Sequence, residues 1–116
     1  GAANTTAIVS GCSETFIAAK NCADLTLGGY TDWFLPSKDE LNLMWTNLAD
    51  SDGNGQNTGP SDPNNLGGFS IQHMYWSSTE QNNADAWSQD FDDGYQDNGN
   101  IRIRSNPGRV RAVRTF

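Results

Sequence analysis

Residues 28–41 run Gly-Gly-Tyr-Thr-Asp-Trp-Phe-Leu-Pro-Ser-Lys-Asp-Glu-Leu and call for a strand, a stop and a helix start in immediate succession. Residues 30–35 carry aromatic and β-favouring side chains between Gly-Gly and Pro, the composition of a short buried strand. Pro36 ends it. Ser37 followed by Glu40 has the spacing of a capping box, in which the hydroxyl and the carboxylate each satisfy an amide left open at a helix start. Leu41, Met44, Trp45 and Leu48 then recur at i, i+3, i+4 and i+7, which predicts a helix that turns all four toward a core.

Upstream, Asn4 or Thr5 is placed to cap a short helix through Ala7, Ile8 and Val9, with Gly11 ending it. Ser13 or Thr15 starts a second, on which Ile17, Ala18, Cys22 and Leu25 share a face before Gly28-Gly29 closes it. Cys12 and Cys22 are the only cysteines, and a Cys12–Cys22 bridge is expected. So short a loop would stabilise by about 2 to 3 kcal/mol in the chain-entropy picture. The alternative is two buried thiols.

Downstream, residues 49–68 are dominated by Asp, Asn, Gly, Ser and Pro and read as a long loop. Asp50-Ser51-Asp52-Gly53-Asn54-Gly55 sets oxygen ligands at alternate positions with glycine sixth, the first half of an EF-hand calcium loop. The second half fails, since the twelfth position is Ser61 where a bidentate glutamate is needed. Asp50, Asp52, Asn54 and Asp62 are the candidate metal ligands; the competing reading is a solvated, turn-rich loop. No cofactor is required, and calcium is the one candidate.

Residues 67–71 return to the core and residues 75–78 form a strand. His73, the only histidine, has no Asp or Ser arrangement pointing to it and reads as structural or surface. Residues 86–91 alternate Trp87, Gln89 and Phe91 against Ser88 and Asp90, a half-buried strand turned by Asp92-Asp93-Gly94. Residues 101–104 and 110–114 complete the set. The fold class is α+β: two main helices packed on short, mostly antiparallel strands with long polar loops, one domain spanning residues 1–116.

Charge narrows the functions. The formal net charge of −7 argues against general nucleic-acid binding. No apolar run approaches membrane-spanning length, and no charged-then-apolar leader opens the chain, as expected of a mature or excised piece without membrane insertion. All 14 acidic residues precede position 98, whereas Arg102, Arg104, Arg109, Arg111 and Arg114 crowd the last sixteen. These arginines either pair across strands with Asp90, Asp92 and Asp93 or form a site for sulfate or carboxylate groups. Paired aspartates at 92 and 93 do not make a glycosidase, because adjacent strand residues face opposite ways. No catalytic residues are assigned.

Taken with Tyr75-Trp76-Ser77-Ser78-Thr79 and Arg109-Val110-Arg111-Ala112-Val113-Arg114, the 28–41 stretch resembles the C-terminal domain family of the Legionella collagen-like surface protein. That family is related to the formylglycine-generating branch of C-type-lectin-like folds. The resemblance implies that fold, an extracellular or cell-surface location, and a binding scaffold, with sulfated polysaccharides associated with the family's namesake. Formylglycine-generating activity, which uses a late cysteine pair, is not expected, because both cysteines here come early. Many relatives carry a cysteine where this chain has Ala112, so a helix-to-terminal-strand bridge is not available.

Residues 82–109 also resemble the variable region of lectin-like proteins diversified by retroelements, where adenines in asparagine codons are randomised. Such codons never become Lys, Glu, Met or Trp, and residues 88–116 contain none of these. The corresponding positions, and hence the expected ligand-binding residues, are Ser88, Asp90, Asp92, Asp93, Tyr95, Asp97, Ile101, Arg102, Ile103 and Arg104. A surface rich in Asp, Asn and Gly would exclude the same four residues by composition alone. The expected function is a non-catalytic, exported adhesin or receptor-binding module for a surface protein or glycan, with self-association left open. The alternative is a calcium-stabilised structural or oligomerising cap.

Overall fold

The computed structural model describes residues 1–15, 17–82, 85–98 and 108–115. Helix α1 spans Ala2–Gly11, α2 spans Ala18–Ala23 and α3 spans Lys38–Met44, continuing into a π-helical turn at Trp45–Ala49. Strands β1 (Met74–Glu80), β2 (Ala86–Asp90) and β3 (Gln96–Asp97) form an antiparallel sheet in that order. Tyr75 pairs with Gln89 and Trp76 with Ser88, and the register shifts between Trp76 and Glu80. The α+β class is as the sequence predicts.

Helix α3 starts as expected. Ser37 Oγ accepts from the Glu40 amide at 3.2 Å while Glu40 Oε2 accepts from the Ser37 amide at 2.7 Å, closing the capping box. Leu41, Met44 and Trp45 are buried, but Leu48 is 39% exposed and Ala49 takes its place in the core. The cause is the π turn, whose Asp50 amide donates to Trp45 O and so shifts the helical phase by about one residue.

The expected strand at residues 30–35 is shorter than its composition suggests. Gly28 and Gly29 have φ of 63° and 81° and form a tight turn in which Leu27 and Tyr30 exchange both backbone hydrogen bonds. Such a turn needs positive φ at both central residues, which two glycines supply without steric cost. Tyr30 is then 50% exposed, and only Phe34 pairs, in a single antiparallel bridge to Val113. The terminal segment also runs beside β1 through a parallel bridge between Tyr75 and Arg109. The predicted strand at 110–114 is thus a single bridge at Val113, with the second bridge at Arg109 just before it, and that at 101–104 lies outside the described residues.

Two apolar clusters hold these parts together. The larger joins Leu41, Met44, Trp45, Ala49, Phe69, Tyr75 and Phe91, with Phe69 and Phe91 ring centroids 4.3 Å apart and Tyr75 4.8 Å from Phe91. The smaller joins Ala19, Cys22 and Leu35 with Ile8, Val9 and Ala18. Neither Asn4 nor Thr5 caps α1. Thr5 lies inside that helix, buried, accepting from the Leu35 amide at 3.0 Å and bonding to Leu35 O at 3.3 Å.

The expected Cys12–Cys22 disulfide is absent: both thiols are free. Cys22 packs in the smaller core against Ala19 and Leu35, whereas Cys12 ends α1 at a cavity it shares with Ile8 and Ile17. Burial pushes the Cys22 thiol pKa up to about 11, as for an inert core thiol.

Candidate functional site

The turn between β2 and β3 presents residues 92–95 at the surface and is braced from beneath. Gly94 N donates to Asp90 O at 3.1 Å, and Asp90 N donates to Tyr95 O at 2.8 Å. Asp92 N and Tyr95 N each donate, at 3.0 Å, to the side-chain Oδ1 of Asp90 and Asp93 respectively. Gly94 has φ of 77°, and a Cβ there would run into the Trp45 indole, so glycine is required twice over.

Side chains from other elements complete the brace. The fully buried Gln89 donates through Nε2 to Gly94 O and to Asn42 Oδ1, both at 2.9 Å. Asn57, 2% exposed, donates through Nδ2 to Phe91 O at 2.8 Å, and its amide donates to Asp92 O at 2.9 Å. Tyr95 stands above this network, 47% exposed.

Of the expected ligand-binding residues, Asp93 and Tyr95 are exposed and Asp92 is half-buried. Ser88, Asp90 and Asp97 are buried, at 8%, 0% and 4% exposure, so they build the support and do not contact an external ligand directly. Strict alternation along residues 86–91 fails here because Ser88, Gln89 and Asp90 are buried in succession, on both faces of β2. Ile101, Arg102, Ile103 and Arg104 lie outside the described residues. Asn57 escapes sequence reasoning, since an amide in a polar stretch carries no periodic signal that it is buried, whereas Gln89 shares the alternation of Trp87 and Phe91 and only its bonding partners go unforeseen.

Two arginines of the described terminal segment, Arg111 and Arg114, have contacts away from this turn. Arg114 Nε meets Asp32 Oδ1 at 2.9 Å, with the guanidinium 3.6 Å from the Tyr30 ring centre. That hydrogen bond holds the Asp32 carboxyl below its ordinary range. Arg111 lies over the Phe69 ring at 4.5 Å. Both line an apolar cavity of about 540 Å³, with Leu27, Tyr30, Trp33 and Leu48 among its walls, a size suited to a small ligand or an inserted side chain.

Residues 49–68 are less solvated than their composition suggests. Asn65, 5% exposed, donates through Nδ2 to Gly59 O and Phe69 O and accepts from the Phe69 amide, stapling the loop to the core. Among the candidate metal ligands, Asp50 is buried while Asp52 and Asn54 share a hydrogen bond at 2.9 Å. Asp62 accepts from Thr58 and Asn64, bonds that lower its pKa, and Asn64 Nδ2 donates in turn to Asp52 Oδ2 at 2.9 Å, so that Asn64 stands between the two carboxylates. Among the described residues no three His, Cys, Asp or Glu side chains form a metal cluster. His73 Nδ1 meets Ser70 Oγ at 3.1 Å, a local pair in which Ser70 also accepts from the Gln72 amide.

These features define a small α+β domain that carries one surface turn braced by buried amides. The Lcl C-terminal domain family matches residues 3–114, and the chain belongs to that family. Membership places it with domains of surface or secreted proteins. No curated protein and no solved structure matches the chain. Among the described residues no helix is long and apolar enough to cross a membrane.

Proposed function

We propose that the chain is a non-catalytic ligand-binding module, acting at the cell surface or outside the cell, that recognises a protein or glycan through residues 92–95. The observation that carries this reading is Tyr95, an aromatic side chain 47% exposed on a turn whose backbone is hydrogen-bonded from within. A recognition surface gains from such an anchor because little conformational freedom is lost on binding, and Asp92 and Asp93 beside it supply adaptable polar contacts.

The C-type-lectin-like architecture suits this reading, since such folds carry recognition on loops over a rigid scaffold. Diversification by a retroelement would act here on Asp92, Asp93 and Tyr95, because randomised positions must reach solvent and Ser88, Asp90 and Asp97 do not.

The test is a binding screen of the wild-type domain and a Tyr95→Ala variant against glycans, sulfated ones included, and against surface proteins. A wild-type signal that falls at least about tenfold in the variant, with the melting temperature unchanged, is the expected result, the loss typical of a central aromatic contact. A signal that survives in full would overturn the assignment.

A further inference from the structure

We infer that residues 50–55 form a calcium site whose ligands are Asp50, Asp52 and Asn54, and that it is independent of whether the 92–95 turn binds a ligand. Three side chains at alternate positions fold back over the loop. Gly55 N donates to Asp50 Oδ2 at 3.0 Å, Asn54 N to Asp52 Oδ1 at 3.3 Å and Gln56 N to Asn54 Oδ1 at 2.8 Å. Gly55, the sixth position, has φ of 79°, the sharp turn that a loop wrapping a cation requires.

The decisive observation is separate from that geometry. Asp50 is 5% exposed, and its Oδ1 is buried with no hydrogen-bond partner. Because Oδ2 is bonded across the loop to Gly55, the carboxyl group is turned in over residues 50–55. A buried carboxylate oxygen without a partner is costly, and native structures seldom leave one so. A cation held also by Asp52 and Asn54 removes that cost.

Its class follows from the donors. All are hard oxygen ligands on a loop, which favours calcium, with its six to eight flexible ligands, over magnesium and its demand for a rigid octahedron. Backbone carbonyls and water would fill the remaining positions. With Ser61 in place of a bidentate glutamate, the site belongs at the weak end of the range, with a Kd of about 0.1 to 1 mM. Asn57, two residues beyond the loop, bonds to Phe91 O and to Asp92 O, so a bound ion also steadies the neighbouring turn.

Isothermal titration of the chelator-treated domain with calcium chloride tests this, with thermal melting run alongside. One saturable site in the stated range and a rise of a few degrees in melting temperature at about 10 mM calcium are expected, with no equal effect from magnesium. Asp52→Asn, at an exposed position and so compatible with folding, should weaken binding at least tenfold. Asp62→Asn should leave it unchanged. Absence of saturable binding up to about 10 mM, equal affinity in Asp52→Asn, or equal binding of magnesium would overturn the proposal.

Discussion

Thr5 shows how one hydroxyl joins two parts of the chain thirty residues apart. Its Oγ1 accepts from the Leu35 amide in a buried setting, so Thr5→Val, nearly equal in shape, should leave that amide unsatisfied. The expected cost is about 1 to 3 kcal/mol, read as a lower midpoint in urea unfolding, whereas Thr6→Val on the exposed side should change stability by less than about 0.5 kcal/mol. Nothing in the sequence separates these two threonines, because a hydroxyl at position 5 serves equally as a cap or as a bridge. The cysteines are ambiguous in the same way: spacing permits a bridge, and only packing shows Cys22 inside the smaller core. Ser88 and Asp90 were legible as polar but not as buried, since alternation along a strand predicts only one buried face and β2 buries both.

At the scale of elements, local chemistry was the reliable guide. The capping box of α3 was readable because its partners are three residues apart and depend on no tertiary contact. Ser37→Ala should lower stability by about 1 kcal/mol, measured by the same unfolding experiment, with the remainder of α3 held by Leu41 and Met44 in the core. What followed was not readable. The π turn at Trp45–Ala49 turns Leu48 outward and Ala49 inward against the 3.6-residue pattern, and no residue in the helix announces it. The Tyr30 segment departs from its strand pattern for a related reason: aromatic content marks a strand only where a partner strand runs alongside, and here the described pairing is the Leu27–Tyr30 turn and a single bridge at Phe34.

For the whole molecule, two of the clustered arginines settle beside residues far from the surface turn. Arg114 pairs with Asp32, and neither it nor Arg111 belongs to the 92–95 turn; both sit on the apolar cavity beside Tyr30. The molecule thus presents two distinct surface features, the braced turn and this cavity, and only the first was legible as a place in the sequence. The cavity's walls come from residues 27–33, 44–48, 67–69 and 111–114, segments that no linear pattern connects. Recognition through the 92–95 turn is the proposal that calls for the most direct test. The most direct measurement is a two-dimensional amide NMR titration of the labelled domain with a ligand retained in the binding screen. The largest shifts are predicted at residues 92–95; shifts concentrated at Leu27, Tyr30 and Leu48, with the turn unmoved, would contradict the account and transfer recognition to the cavity.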